Sequence, residues 1–213
     1  MSDMSFAVPP VMPNPLAVIK PEPVERLYTL GEFLKKEANS IHKHEYHNGK
    51  IIAMPRAKAP HNIIAMNIGT ALNIAIDKAN KNYIVLGSDQ MVYLPELNFG
   101  LYPDALVVCE ELEHFDENQV LLINPILLVE VLSKSTRKYD RGSKFDFYKT
   151  LPSFREYMLV EQTGVRVETR FRVEPNLWRE TTVADPAAAV KLESLGLEIA
   201  VRDIYKRVPG LVV

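Results

Sequence analysis

The chain has 213 residues, of which 47% are hydrophobic and 24% charged, and its formal net charge is −2 at pH 7. This length suits one domain with a substantial core, in an ordinary globular composition. The slightly acidic balance gives no global signature of a nucleic-acid binder, and a single cysteine excludes an intrachain disulfide and a multi-cysteine zinc site.

No apolar run approaches the ~18 residues of a membrane span, and no basic segment followed by an apolar one opens the chain. With one cysteine, this pattern leads us to expect a cytoplasmic protein without a membrane partner. Residues 1–27 are expected to form an arm or loose tail, and residues 28–213 a single domain. The arm contains six prolines, which prevent regular hydrogen-bonded ladders: Pro9, Pro10, Pro13, Pro15, Pro21 and Pro23.

The first part of the domain alternates helix and hairpin signals. A capping-box pattern beginning at Thr29 predicts a short helix to about Asn39. Asn48-Gly49 is the strongest two-residue turn signal, so residues 42–54 are predicted as a β-hairpin.

A long helix follows, opened by Pro60 and running to about Lys81. Helical spacing predicts that one face of this helix packs in the core, with Ile64, Ile68, Ala71, Leu72, Ala75 and Ile76. Strands are predicted at 83–87, 91–94 and 104–109.

The apolar run Ile126–Ser133 contains one carboxylate, Glu130, near its centre. A short continuous apolar run is typical of a strand covered on both faces. An ionised carboxylate in such a strand is costly unless a metal, a cation or several donors compensate it. We therefore expect a partner for Glu130.

Asp140 is predicted to cap a helix that runs to about Thr150 and is ended by Pro152. In the segment 165–173, charged residues alternate with apolar ones, which predicts a strand with one solvent-exposed face. Further strands are predicted at 156–161, 178–183 and 197–200, with a helical turn at 203–206. The order of elements indicates a mixed α/β domain with one main sheet.

Asp104 and Glu130 are the first candidates for a functional site. Asp104 follows Pro103 at the entry of a strand, and the separation from Glu130 allows two neighbouring strands and a loop. Two carboxylates on adjacent strands form part of a site for a hard cation such as Mg²⁺, which completes its coordination with water and phosphate. The alternative is structural: Asp104 caps a turn, and Glu130 pairs with a buried lysine or arginine.

A basic segment follows the central strand. The segment 134–149 contains six basic residues and only two acidic ones. The basic residues are Lys134, Arg137, Lys138, Arg141, Lys144 and Lys149. A positive rim beside a carboxylate-bound metal suits a phosphodiester substrate, whose charge increases toward the transition state. By charge alone, a solvated helix face is the better explanation of the segment.

These residues together resemble the Uma2 family, also called DUF820, which is grouped with the PD-(D/E)xK restriction-endonuclease-like superfamily. The pattern consists of Pro103-Asp104, Glu130-Val-Leu-Ser133, Ser135-Thr136, Asp140, Lys144 and Tyr148. Supporting pieces are Glu45 ahead of the Asn48-Gly49 turn, His61 at the next helix start, and the segment 152–160. The resemblance covers about residues 28–205.

The resemblance implies a restriction-endonuclease-like fold, with a mixed central sheet flanked by helices and additional β-hairpins. It also implies a Mg²⁺-dependent DNA endonuclease, in which Mn²⁺ substitutes, and a homodimer. The implied catalytic residues are Asp104, Glu130 and Lys144. The metal would be held by Asp104 and Glu130, with Glu45 acting through water. Candidate substrate-binding residues are His61, Arg137, Lys138, Arg141 and Tyr148.

One position departs from the superfamily pattern, because Leu132 stands where the motif lysine is expected. The resemblance implies that Lys144, from the next helix, takes this role, although Lys144 can also serve only as the partner of Glu130. Two other functions therefore stay open. The chain can be a nuclease-fold protein that binds nucleic acid or a protein partner without cutting, or a structural protein that oligomerises through its apolar arm.

Overall fold

The computed structural model describes residues 26–211. Nearly all of the predicted arm lies outside this range. The helices are α1 (Leu30–Glu37), α2 (Ala59–Lys78), α3 (Arg137–Arg141), α4 (Ser143–Tyr148) and α5 (Val201–Ile204). The strands are β1 (His44–His47), β2 (Lys50–Ala53), β3 (Ile84–Gly87), β4 (Met91–Leu94), β5 (Phe99–Leu101), β6 (Ala105–Val108), β7 (Leu121–Leu122), β8 (Leu127–Leu132), β9 (Glu156–Glu161), β10 (Val167–Glu174), β11 (Leu177–Val183), β12 (Ala189–Leu192) and β13 (Leu197–Ala200).

The larger sheet has six strands in the order β11-β10-β9-β8-β6-β3. Strands β8 and β9 run parallel, and the other neighbours are antiparallel. All six residues of β8 are buried. One face of β8 packs in the core beneath α2, and the other packs among aromatic side chains of α4 and β9. This position confirms the prediction of a central strand covered on both faces.

A second sheet of five strands, in the order β2-β1-β5-β4-β7, lies beside the first, and β12 and β13 form a separate pair. The prediction of one main sheet therefore missed this second sheet, because two of its strands, β5 and β7, are only three and two residues long and were not predicted. At Gly100 in β5, an added Cβ would lie 2.6 Å from the Met91 sulfur, so the Met91 side chain would have to move.

The strongest local signals are confirmed. Thr29 and Glu32 form the predicted reciprocal capping box at α1. Asn48 and Gly49 both have positive φ in the turn between β1 and β2. Of the predicted core face of α2, all residues but Ala75 are buried: Ile64, Ile68, Ala71, Leu72 and Ile76. In residues 26–211, no helix has the length and apolar character needed to span a bilayer.

Two predictions were wrong in detail. The helix expected from Asp140 begins at Arg137 and is interrupted at Gly142, whose φ and ψ of −111° and −100° are not helical. Asp140 therefore lies inside α3, and its buried side chain does not cap a helix. The charged face of β10 is not solvated, because Glu168 pairs with Arg141, and Arg170 lies over the ring of Phe145.

Candidate active site

The two predicted carboxylates lie opposite each other on neighbouring strands. The antiparallel register pairs Ala105 of β6 with Val129 of β8, so Asp104 stands opposite Glu130 on the same face of the sheet. The Asp104 amide donates to the Val129 carbonyl at 3.0 Å. The Val131 amide donates to Asp104 Oδ2 at 2.7 Å. The backbone thus fixes the Asp104 carboxylate at the end of the strand pair.

Glu130 meets its partner from the next helix, as expected for a buried carboxylate. Lys144 Nζ lies 2.7 Å from Glu130 Oε1, and the side chains are only 4% and 5% exposed. The fully buried Tyr148 hydroxyl, one turn further along α4, donates to the same oxygen at 3.2 Å. Lys144 also donates to the Tyr102 carbonyl at 3.0 Å and lies 3.5 Å from Glu45 Oε1.

Glu45 reaches this cluster from β1 of the second sheet. Its Oε2 accepts a hydrogen bond from the Tyr139 hydroxyl at 2.9 Å and lies 3.1 Å from His47 Nε2. Burial alone would raise the pKa of Glu45, but the contacts with His47, Lys144 and Tyr139 outweigh it and lower that pKa. Glu45 is therefore an ionised group that lies behind Lys144 and steadies its ammonium group.

Asp140 also belongs to this site, although the sequence pattern predicted it to be a helix cap. It is buried, and it faces the same cleft as Asp104, Glu130 and Lys144. Helical spacing from Lys144 could not have placed it, because the backbone leaves the helical conformation at Gly142, between the two residues.

His61, at the start of α2, lies next to Asp104. Its Nε2 is 3.2 Å from Asp104 Oδ2, while its buried Nδ1 has no hydrogen-bond partner in the described chain. Burial and the helix N-terminus both favour a neutral imidazole. The neighbouring carboxylates of Asp104 and Asp140 act in the opposite direction and raise the pKa of His61.

The site has a surplus of negative charge. Burial raises the pKa of Glu130 well above its ordinary value, although Lys144 opposes this shift. Burial also raises the pKa of Asp140. Burial would lower the pKa of Lys144, but Glu130, Glu45 and Asp140 together raise it. Lys144 is therefore an ammonium ion at neutral pH, and Glu130 and Asp140 hold protons more tightly than usual.

These groups form the floor of a cleft of about 820 Å³ between the two sheets and the start of α2. Asp104, Glu130 and Asp140 lie on the floor, whereas Lys43, Arg56, Lys58 and Lys134 line the cleft toward solvent. Among residues 26–211, no three His, Cys, Asp or Glu side chains are grouped closely enough to hold one metal ion by themselves. The arrangement offers at most paired carboxylates, with other ligands coming from water or substrate.

The other predicted substrate-binding residues lie away from this cleft. Arg137 pairs with Glu161 at 2.7 Å, and Arg141 forms a two-pronged pair with Glu168. Lys138 is exposed on α3. Tyr148 is completely buried behind Glu130. Of that group, the structure brings His61 alone to the cleft.

Comparison with known proteins identifies the family. The Uma2 family profile, described as "Putative restriction endonuclease", matches residues 30–202. The chain belongs to the Uma2 family. Two relatives come from Synechocystis sp. (strain ATCC 27184 / PCC 6803 / Kazusa), with the names "Uncharacterized protein sll1609" and "Uncharacterized protein slr1290". The first is 32% identical over 78% of this chain and 93% of its own length, and the second 30% identical over 82% and 90%.

A solved structure shares the fold of this Uma2 protein. It is the crystal structure of "a putative nuclease belonging to DUF820" from Anabaena variabilis ATCC 29413. The two chains are 19% identical, with a TM-score of 0.65 over 84% of this chain and 97% of the other. This likeness confirms the predicted nuclease-like α/β fold. Family and fold together support a nuclease-type hydrolase.

Proposed function

We propose that this Uma2 protein is a metal-dependent endonuclease that hydrolyses phosphodiester bonds of DNA. The observation that carries the proposal is the cleft floor, where Asp104 and Glu130 stand opposite each other beside the buried ammonium group of Lys144. This is the arrangement needed to bind a divalent cation and a phosphate group next to each other.

The side chains present fit a hard divalent cation. Asp104 and Glu130 offer paired carboxylate oxygen atoms, which Mg²⁺ and Mn²⁺ prefer, and Asp140 adds a third carboxyl group nearby. Their surplus of negative charge is a second indication, because buried like charges are costly without a cation. The contacts of Asp104 within residues 26–211 use Oδ2, so Oδ1 is the oxygen that we assign to an ion.

In this proposal Asp104 and Glu130 hold the cation. When bound, Mg²⁺ supplies a water of lowered pKa and polarises the scissile phosphate. Lys144 and Tyr148 fix the Glu130 carboxylate through its Oε1 atom. These contacts determine which way the carboxylate points, as outer partners of metal ligands commonly do.

Lys144 contributes a fixed positive charge. Its shortest contacts, with Glu130 and the Tyr102 carbonyl, anchor the ammonium group at the cleft floor. Its longest contact, 3.5 Å to Glu45, is the one that we expect a substrate phosphate oxygen to replace. Lys144 then neutralises the charge that develops on the phosphate. Glu45 remains supported by Tyr139 and His47.

The test is cleavage of plasmid and labelled oligonucleotide DNA with Mg²⁺ or Mn²⁺. We expect Asp104→Asn, Glu130→Gln and Lys144→Ala each to lower the rate by about 10²-fold or more, the usual effect of removing a charged transition-state contact. Matched controls come from Asp146 in α4 and its ion-pair partner Lys149 at the C-cap, neither of which lines the cleft.

Asp146→Asn and Lys149→Ala are expected to cleave at the wild-type rate. Equal activity in all five variants and the wild type would refute the proposed site. DNA binding without cleavage under any metal condition would instead favour a nuclease-fold protein that binds nucleic acid without cutting.

A further inference from the structure

We infer that three cations at the mouth of the cleft, Arg56, Lys58 and Lys134, bind the phosphodiester backbone of the nucleic acid strand that enters it. These three residues are called the cleft rim below. The inference rests on the proposed function for the location of the scissile bond. It adds a substrate-binding surface that shares only Lys134 with the basic segment indicated by the sequence.

The cleft rim is assembled from two separate segments. Arg56 and Lys58 lie in the exposed connection between β2 and α2, and Lys134 follows the end of β8. All three line the cleft whose floor contains Asp104 and Glu130. Positive charge thus lies toward solvent and negative charge at the bottom. A chain of phosphates crossing the mouth would meet the rim before its scissile group reaches the floor.

The rim charges are not compensated by acidic side chains of residues 26–211. Lys58 and Lys134 form no side-chain hydrogen bond or ion pair there, and the contact found for Arg56 is a 3.4 Å approach to His42 Nδ1. Lys43, at the same cleft, differs because it pairs with Asp89 and the Ser88 carbonyl. The rim cations are therefore available to an external anion.

Lys58 is also poorly suited to its structural position. It is the N-cap of α2, where Ser, Thr, Asp and Asn are preferred, and its side chain makes no capping hydrogen bond. A positive charge at a helix N-terminus is opposed by the helix dipole. Local helix stability thus gives no reason for lysine at this position, whereas contact with a phosphate does.

The contrast with α3 separates the rim from other basic residues. The guanidinium groups of Arg137 and Arg141 are held by Glu161 and Glu168 on β9 and β10. Binding a phosphate there would require breaking an ion pair. The rim cations have no ion pair to break. A phosphate that binds them would release counterions from the nucleic acid, and this release favours binding.

The test measures binding without cleavage, by fluorescence anisotropy of labelled single-stranded and duplex DNA in EDTA, with an RNA strand as a further arm. The rim variant combines Arg56→Ala, Lys58→Ala and Lys134→Ala. A matched variant with the same charge change combines three exposed residues of a second groove: Lys78→Ala, Arg202→Ala and Lys206→Ala. Lys78 lies at the opposite end of α2, about 30 Å from Lys58 at 1.5 Å per residue.

Each lost phosphate contact is expected to reduce the slope of log affinity against log salt concentration by about 0.7 to 0.9. The rim variant should therefore lose about two to three units of slope. If it binds as well as the wild type at 1 M salt, it should bind about 10²- to 10³-fold more weakly than the wild type at 0.1 M. The matched variant should bind within about threefold of the wild type, because its charges lie outside the nucleic acid path. Circular dichroism would verify that both variants are folded.

No binding by the wild type, unchanged binding by the rim variant, or an equal loss in both variants would overturn the inference. Its failure is distinguishable from that of the proposed function. If the rim variant binds DNA normally and cleaves it, the inference about the rim is refuted and the proposed nuclease activity is kept. If the wild type binds through the rim but never cleaves, the nuclease activity is refuted and the rim is kept.

Discussion

Replacing Lys144 with methionine tests how the cleft floor is held together. At 2.7 Å and an effective dielectric constant of about 20, the attraction between Lys144 and Glu130 is about 6 kcal/mol before desolvation is subtracted. Lys144→Met keeps the length of the side chain but leaves Glu130 and Glu45 without their cation. Breaking a buried pair in this way typically costs about 3–5 kcal/mol of the free energy of unfolding.

The loss is expected to depend on pH. Burial holds the pKa of Glu130 above its ordinary value of 4.5, and removing Lys144 raises it further. Above pH 4.5 the folded state then binds more protons than the unfolded state, so the free energy of unfolding falls as pH rises. The free energy of unfolding that Lys144→Met loses relative to the wild type should be larger at pH 8 than at pH 5.5. Adding Glu130→Gln should restore most of this free energy, because the unpaired buried charge is gone.

Urea unfolding followed by tryptophan fluorescence measures this effect. Trp178 is the single tryptophan of the chain and packs against Phe145 and Phe154, on the side of the sheet that α4 covers. Lys35→Met, at an exposed site on α1, is the control and should change stability by less than about 0.5 kcal/mol. The reasoning would be refuted if Lys144→Met lost less than about 1 kcal/mol of the free energy of unfolding at both pH values. It would also be refuted if the double variant were no more stable than Lys144→Met.

Three other predictions concern the balance between stability and function at this site. Lys58→Ser should stabilise the protein by about 1 kcal/mol in urea unfolding, because it supplies the missing N-cap of α2, while weakening DNA binding; a loss of stability would contradict this. Asp140→Asn should stabilise the metal-free protein by on the order of 1 kcal/mol at pH 8, since the pKa of Asp140 is raised, with the gain fading toward pH 4; an unchanged difference across that range would contradict it. Mn²⁺ at about 100 times its Kd should stabilise the wild type by about 2.7 kcal/mol, seen as a higher Tm; the same increase should appear in Asp146→Asn and be absent in Asp104→Asn.

The fold was predictable from the sequence wherever a local sequence pattern alone determines a helix, strand or turn. The apolar run around Glu130, the capping box at Thr29 and the Asn48-Gly49 turn each led to the observed element. The strands β5 and β7 carried too few residues for a periodic signal, and pairing with other strands of the second sheet fixes their place.

The site was predictable to a smaller extent. Family resemblance and helical spacing pointed to Lys144, and the structure places it against Glu130. The cleft-facing position of Asp140 was hidden by the interruption at Gly142, which changed its place in the helix. The partners of Arg137 and Arg141 come from distant strands, so charge counting along the chain did not reveal that their charges are compensated. The homodimer and the role of residues 1–27 stay predictions.

The central claim is that Asp104 and Glu130 hold a divalent cation, and the most direct measurement is anomalous X-ray scattering from crystals containing Mn²⁺. The account predicts an anomalous peak in contact with oxygen atoms of both carboxylates, beside Lys144, and its loss in Asp104→Asn. A peak elsewhere on the protein, with none between Asp104 and Glu130, would contradict it.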